Sequence, residues 1–446
     1  MVISMINSGV KAAIKNLGCR VNQYEAEALE QMLKGAGYQV VDFESNADLY
    51  LINSCAVTIS AASKSRSLAR QAKRRGGEDS IVIMAGCYTQ VSPEEVEDVE
   101  EVDYLISTSN KDNLIELLND LKIDGDSRWL GSRDEYEDID KFQKFKLVDL
   151  NQTTRANIKI QDGCDQFCSY CIIPYARGRI RSRPQADVIE EFKRLTAQGV
   201  KEFVLTGIHL GAYGRDFNGD KDYLAELLRK LVNIKGEFRI RLSSIEAGEV
   251  TDSMLEVMNN SEKICSHLHL PLQSGSDRIL DKMNRPYNQQ EFLGYIENIK
   301  STVPGIGLTS DLIVGFPGET ETDFKETLKV VEEISFSRLH IFSYSPRPGT
   351  PAANMKDDID GDIKKDRYNR LSQLGEKLAQ NYRESISNNK LEVLFEDNSH
   401  DGMIIGYTGN YIRVGVEYQE DLVNKLKTVK LLKAIGGEPY PVEINE

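Results

Sequence analysis

Along the amino-terminal third of the chain, short apolar runs alternate with stretches of helical periodicity. "AAIKNLGC" reads as a strand ending at Cys19, followed by the helix "NQYEAEALEQMLKGAG" with Leu29 and Leu33 on one face and a stop at Gly35 and Gly37. "ADLYLINSC" repeats the pattern and ends at Cys55, before the helix "SAASKSRSLARQAKRR". "SIVIMAGC" ends at Cys87, and Ser92 with Pro93 opens the helix "SPEEVEDV". Strands alternating with helices predict a parallel sheet, and in open α/β sheets ligands bind at the carboxyl edge. Cys19, Cys55 and Cys87 all fall at that edge, which favours one shared site over three separately buried cysteines.

After the acidic, aperiodic stretch "DGDSRWLGSRDEYEDIDK", six further apolar runs appear: "NIKIQDG", "EFVLTGI", "FRIRLSSIE", "SHLHLPLQ", "GLTSDLIVGF" and "RLHIFSYS". Amphipathic stretches such as "DVIEEFKRLTAQG" and "TDFKETLKVVEEI" lie between them, so a partial, TIM-like (βα)6 barrel is expected, with its active site at the strand ends. The closing runs "LEVLFED", "GMIIGYT", "NYIRVGVEY" and "KTVKLLKAI" are short, β-branched and separated by turns, as in a small all-β barrel. The expected division is an amino-terminal α/β domain over 1–125, a linker over 126–149, the barrel over 150–381 and the β domain over 382–446.

At 446 residues and 40% hydrophobic content, the chain can bury two or three cores. No stretch approaches the roughly 18 apolar residues of a membrane span, and no basic leader precedes an apolar run, so a soluble, cytoplasmic protein with no membrane partner is expected. The net charge of −15 argues against binding nucleic acid over the whole surface and directs attention to local basic islands. Seven cysteines in such a chain read as metal ligands or reactive thiols rather than disulfides.

The densest chemistry is "GCDQFCSYCIIPYARGRIRSRP", where Cys164, Cys168 and Cys171 are spaced C-x3-C-x2-C after the first barrel strand. Three thiolates can hold three irons of a [4Fe–4S] cubane and leave the fourth open for a substrate, as a catalytic zinc site leaves one position open. The alternative is a zinc site with a distant fourth ligand.

This motif at the mouth of a βα barrel resembles the radical S-adenosylmethionine (SAM) superfamily. The whole layout, with three separated cysteines before it and a small β domain after it, resembles the methylthiotransferase family. That resemblance implies two [4Fe–4S] clusters, one on Cys164, Cys168 and Cys171 and an auxiliary one on Cys19, Cys55 and Cys87, with SAM as both radical source and methyl donor. It also implies that the β domain is a TRAM domain and that sulfur passes through the auxiliary cluster. "LGCRVNQYE", "NSCAVT", "AGCYTQ", "CIIPYARG", "LTGIHLGAYG" and "RIRLSSIEAGE" resemble the branch that methylthiolates C2 of N6-threonylcarbamoyladenosine at position 37 of tRNA. The alternatives are branches acting on isopentenyladenosine in tRNA or on a ribosomal protein, and a non-catalytic metal-containing RNA-binding protein. Such a reaction implies a tRNA anticodon stem-loop, an electron donor such as flavodoxin or ferredoxin, and a sulfur source as partners. A C2–H bond of adenine is too weakly acidic for a side-chain base, which is why radical chemistry suits it.

Barrel position within the superfamily assigns SAM contacts to Tyr170, Thr206, Gly207, Ser244, Glu246, Gln273, Ile313 and Gly315. Each has a packing role as its alternative. Cys265, His267 and His269 share one face of a strand and suggest either a metal triad or a polar pocket wall. Arg177, Arg179, Arg181 and Arg183 alternate beside the cluster loop and are expected to grip RNA phosphates. Lys64, Arg66, Arg70, Lys73, Arg74 and Arg75 form a second basic island, and Tyr407, Tyr411 and Arg413 are candidates for stacking on bases.

Overall fold

A computed structural model describes residues 9–119, 128–132, 139–145, 154–218, 222–357, 359–387, 389–400, 402–432 and 438–444. Much of the expected linker lies outside the described residues. The chain forms two compact units. One comprises Met1–Asn151 with Gln161–Ser182 and Ser345–Ala353; the other comprises Gln152–Ile160, Arg183–Tyr344 and Asn354–Glu446.

The first unit is built on strands β1 (Lys11–Asn16), β2 (Gln39–Val41), β3 (Leu49–Ser54), β4 (Ile81–Gly86) and β5 (Tyr104–Ile106). They form one parallel sheet in the order β2-β1-β3-β4-β5. β3 is buried at every position, as expected of a central parallel strand covered on both faces. Helices Arg20–Gly35 and Ile59–Gly76 supply that cover, the second capped by the Thr58 side chain, which accepts from Ala61 N. The described parts of the expected linker are packed rather than free. Leu105 forms a bridge with Trp129, and Leu130 and Phe145 join the core of the sheet. The segment Gln161–Ser182 also belongs to this unit, closed at its base by the antiparallel pair Gln161–Asp162 and Arg181–Ser182.

In the second unit, β6 (Arg155–Lys159), β7 (Glu202–Thr206) and β8 (Arg239–Leu242) form one parallel sheet, and β9 (His267–His269), β10 (Gly307–Val314) and β11 (Arg338–Ser343) another. A bridge between Ile240 and Ile264 joins the two into the six-stranded partial barrel expected from the sequence. Parallel strands put all six carboxyl ends at one edge. Strands β12 (Lys390–His400), β13 (Met403–Thr408), β14 (Arg413–Glu417), β15 (Leu426–Leu431) and β16 (Tyr440–Ile444) close into the expected small barrel around Val393, Phe395, Ile404 and Val414. No helix among the described residues is long and apolar enough to cross a membrane.

Candidate cluster and cofactor sites

The sheet order of the first unit makes β1, β3 and β4 neighbours, so the cysteines that follow them come out at adjacent strand ends. Cys55 and Cys87 follow β3 and β4 directly, and Cys19 stands three residues past β1, where it begins helix Arg20–Gly35. Gly18 allows the approach: at φ +109°, a Cβ there would lie 2.9 Å from Cys55 Sγ. Burial, and then the neighbouring Cys87, push the Cys55 thiol up to about 12, so without a cation Cys55 is a neutral thiol. Among the described residues, no group of three Cys, His, Asp or Glu side chains is arranged to hold a single metal ion. In a [4Fe–4S] cubane each thiolate meets a different iron, so three thiols at adjacent strand ends are the kind of donor set such a cluster takes.

The loop with Cys164, Cys168 and Cys171 folds back on itself within the same unit. Cys164 N donates to Gly178 O at 3.1 Å, Cys171 N to Cys168 O at 2.9 Å, and Phe167 takes a left-handed φ of 48° between them. Gly163 is obligatory here, since a Cβ at its φ of +75° would stand 1.8 Å from Arg179 O. Ala352 N ties down Ser169 O at 2.8 Å, next to the half-buried Tyr170. Ile172 and Ala176 pack against Cys87 and Ala56, so the two cysteine sets share one compact unit.

In the second unit, the residues expected to meet SAM stand at or beyond carboxyl strand ends. Thr206 ends β7, and its carbonyl accepts from Ile160 N at 2.9 Å; Gly207 follows it. Ser244 is exposed beyond β8, and Glu246 pairs with Arg285, which also donates to Tyr287 OH at 2.8 Å. Gln273, at φ 67°, is stitched to β10 by bonds to Asp311 O and from Ile313 N, both 2.9 Å. Gly315 leaves β10 with its N–H on Glu319 Oε2 at 2.7 Å, and Glu319 is held by Arg367.

The expected arginine strip is largely turned inward. Arg177 is 1% exposed and Arg181 is 4% exposed, which excludes both from an RNA surface. The alternation is broken because Arg177 ends helix Ile173–Arg177, whereas Arg181 lies in the short antiparallel pair and donates to the carbonyls of Ile139, Arg177 and Arg179. Arg183 is half-buried on Glu191. Arg179 alone of the four is exposed. In the other basic island, Arg66 pairs with Glu95 and Lys73 with Asp103, while Lys64, Arg70 and Arg74 are exposed. Tyr407 and Tyr411 are half-buried and stack on each other at 5.3 Å, with Arg155 over the first ring and Arg241 over the second. His267 Nε2 and His269 Nδ1 converge on Thr309 Oγ1 at 3.0 and 2.9 Å, and His269 Nε2 lies 3.2 Å from Asp311, which makes these histidines a polar wall.

Residues 158–331 match the family model of the radical SAM superfamily, and residues 11–107 that of the uncharacterized protein family UPF0004. The threonylcarbamoyladenosine tRNA methylthiotransferase MtaB of Bacillus subtilis is 43% identical over 96% of this chain and 94% of its own length. The MtaB of Thermotoga maritima is 38% identical over 90% of each chain. The chain belongs to the radical SAM methylthiotransferase family. A relative named tRNA-2-methylthio-N(6)-dimethylallyladenosine synthase, from Acetivibrio thermocellus, is 34% identical over 94% of this chain and 88% of its own length. Among solved structures, the radical SAM methyltransferase TsrM of Kitasatospora setae, with cobalamin and a [4Fe–4S] cluster bound, superimposes with a TM-score of 0.58 at 16% identity over 78% of this chain and 77% of that one, a likeness of fold.

The chemistry of this family runs on [4Fe–4S] clusters and SAM. The donor sets fit that requirement: two groups of three thiols, each beside glycines that let the backbone close in. Sequence reasoning missed Asn22 and Glu25, which are buried beside the auxiliary set. Their signal is present in "RVNQYEAEAL", where two polar residues three apart fall on the buried face that carries Val21, Ala26 and Leu29.

Proposed function

We propose that this chain methylthiolates C2 of N6-threonylcarbamoyladenosine at position 37 of tRNA. The carrying observation is the 43% identity to Bacillus subtilis MtaB over 96% of the chain, with both cysteine sets intact in one compact unit. In this reading Cys164, Cys168 and Cys171 hold the SAM cluster, and Cys19, Cys55 and Cys87 the auxiliary cluster. When bound, these groups supply radical formation from SAM, methyl transfer and sulfur delivery. Tyr170, Thr206, Gly207, Ser244, Glu246, Gln273, Ile313 and Gly315 bind and orient SAM, with Glu246 fixed for that task by Arg285. Arg179 meets the RNA backbone. The sequence division at 125, 149 and 381 describes the functional parts, the last of them a TRAM domain. An electron donor of the flavodoxin or ferredoxin class and a sulfur source complete a cytoplasmic system.

Anaerobic reconstitution tests the cluster assignment: about eight irons per chain and reductive SAM cleavage are expected, whereas zinc or no 5′-deoxyadenosine would overturn it. Nucleoside analysis of tRNA from a deletion strain tests the substrate. Loss of 2-methylthio-N6-threonylcarbamoyladenosine is expected, and loss of the isopentenyladenosine derivative instead would transfer the chain to the other tRNA branch.

A further inference from the structure

Arg177 is sealed among the cysteines of the first unit. Its Nε lies 3.1 Å from Cys87 Sγ. Its Nη atoms engage Asn22 Oδ1, both oxygens of Glu25 (Nη2 to Oε2 at 3.0 Å) and Asp162 Oδ2 at 3.4 Å. The helix that carries it is fixed as well, because Thr108 Oγ1 donates to Ala176 O at 2.7 Å and Ala176 packs on Cys87. The guanidinium therefore presents one N–H to the sulfur in a fixed direction, while its charge is set against Glu25 on the other side. Glu25 is in turn held by Lys111, and both side chains are fully buried.

We propose that Arg177 sets the reduction potential of the auxiliary cluster through its N–H bond to the Cys87 sulfur. This rests on the reading of Cys19, Cys55 and Cys87 as the ligands of that cluster. A ligand thiolate carries more negative charge when its cluster is reduced, so a cationic donor aimed at the sulfur favours the reduced state and raises the potential. Lysine cannot replace it, since an ammonium on a flexible stem lacks the fixed fork that serves Cys87, Asn22 and Glu25 together. Arg177 is thus a positioning residue that acts on the cluster through its ligand.

The test is an EPR-monitored redox titration of the anaerobically reconstituted full chain, with iron counted first and the cluster of Cys164, Cys168 and Cys171 as internal reference. In Arg177→Lys, the auxiliary potential should fall so that the reduced-to-oxidised ratio at fixed potential drops about tenfold or more, 59 mV for a one-electron couple, and the reference cluster should not move. In Glu25→Gln, the guanidinium loses a compensating charge and the auxiliary potential should rise. Shifts of opposite sign confined to one cluster are not produced by loosened packing. Unchanged auxiliary potentials in both fully loaded variants would overturn the proposal. If Arg177→Lys does not take up its second cluster, Glu25→Gln decides alone: a rise supports the proposal, and no rise overturns it. The ligand reading fails separately, if Cys87→Ala retains the wild-type iron content.

Discussion

Glu202, which opens β7, and Arg241, the third residue of β8, form a two-point ion pair, Nε to Oε1 at 3.0 Å and Nη2 to Oε2 at 3.1 Å. The same guanidinium donates to the carbonyls of Thr408 and Gly409, both at 3.0 Å, and so ties the α/β barrel to the small β barrel. Burial would push the Glu202 carboxyl up, but the guanidinia of Arg241, Arg239 and Arg155 hold it well below the usual carboxylate range. Glu202→Gln strands three cations around a neutral amide and should cost about 3–5 kcal/mol in chemical unfolding at pH 7. A depressed carboxylate contributes stability above its unfolded pKa, about 4.3, and loses it as the pH falls. The gap between wild type and variant should therefore be constant above about pH 5 and shrink below about pH 4. A gap independent of pH would contradict this.

Strand ends were legible in the sequence because the cysteines mark them, and the central strands β3 and β4 because they are near-continuous apolar runs. The edge strands β2 and β5 were not, since three residues are too few to show a period. The loop that carries Cys164, Cys168 and Cys171 stood out by its cysteine spacing alone. What escaped was which arginines turn inward. Five residues of helix, with Pro174 in its first turn, interrupt the alternation and rotate Arg177 towards Asn22 and Glu25, whose positions lie 155 and 152 residues earlier in the chain. Nothing local in "YARGRIRSR" encodes a partner that distant.

Cys265 bears on how the irons are divided. It is buried ahead of β9, at the amino-terminal end of a strand whose functional edge is the other one, and burial raises its thiol pKa. Cys265→Ala should leave the iron content at the wild-type value and cost roughly 1 kcal/mol of stability. Iron loss matching that of Cys55→Ala, measured after identical reconstitution, would make Cys265 a ligand.

The contrast among the arginines gives an RNA-binding prediction. Arg179→Ala removes an exposed cation, so tRNA affinity should weaken and the slope of log affinity against log salt should fall by about one phosphate contact. Arg181→Ala instead removes a buried tie among the Ile139, Arg177 and Arg179 carbonyls. Its effect should be on unfolding and iron uptake, with the salt slope unchanged in the folded fraction. Filter binding at several salt concentrations separates the two, and an unchanged slope in Arg179→Ala would remove that residue from the interface.

Glu27, half-buried on helix Arg20–Gly35, sits on the opposite side of the pH balance from Glu202. Burial pushes its carboxyl up to about 7, with Glu30 adding to the effect and a hydrogen bond from Gln23 opposing it. An acid with a raised folded-state pKa is destabilising once ionised: the penalty is absent below its unfolded pKa, grows through the interval, and is complete above about pH 7. Glu27→Gln removes the ionisation and keeps the shape. The variant should be more stable than wild type by roughly 1–3 kcal/mol at pH 8 and indistinguishable from it near pH 4. Urea unfolding across that range checks the sign, and a gain at pH 4 equal to that at pH 8 would show that packing rather than charge is responsible.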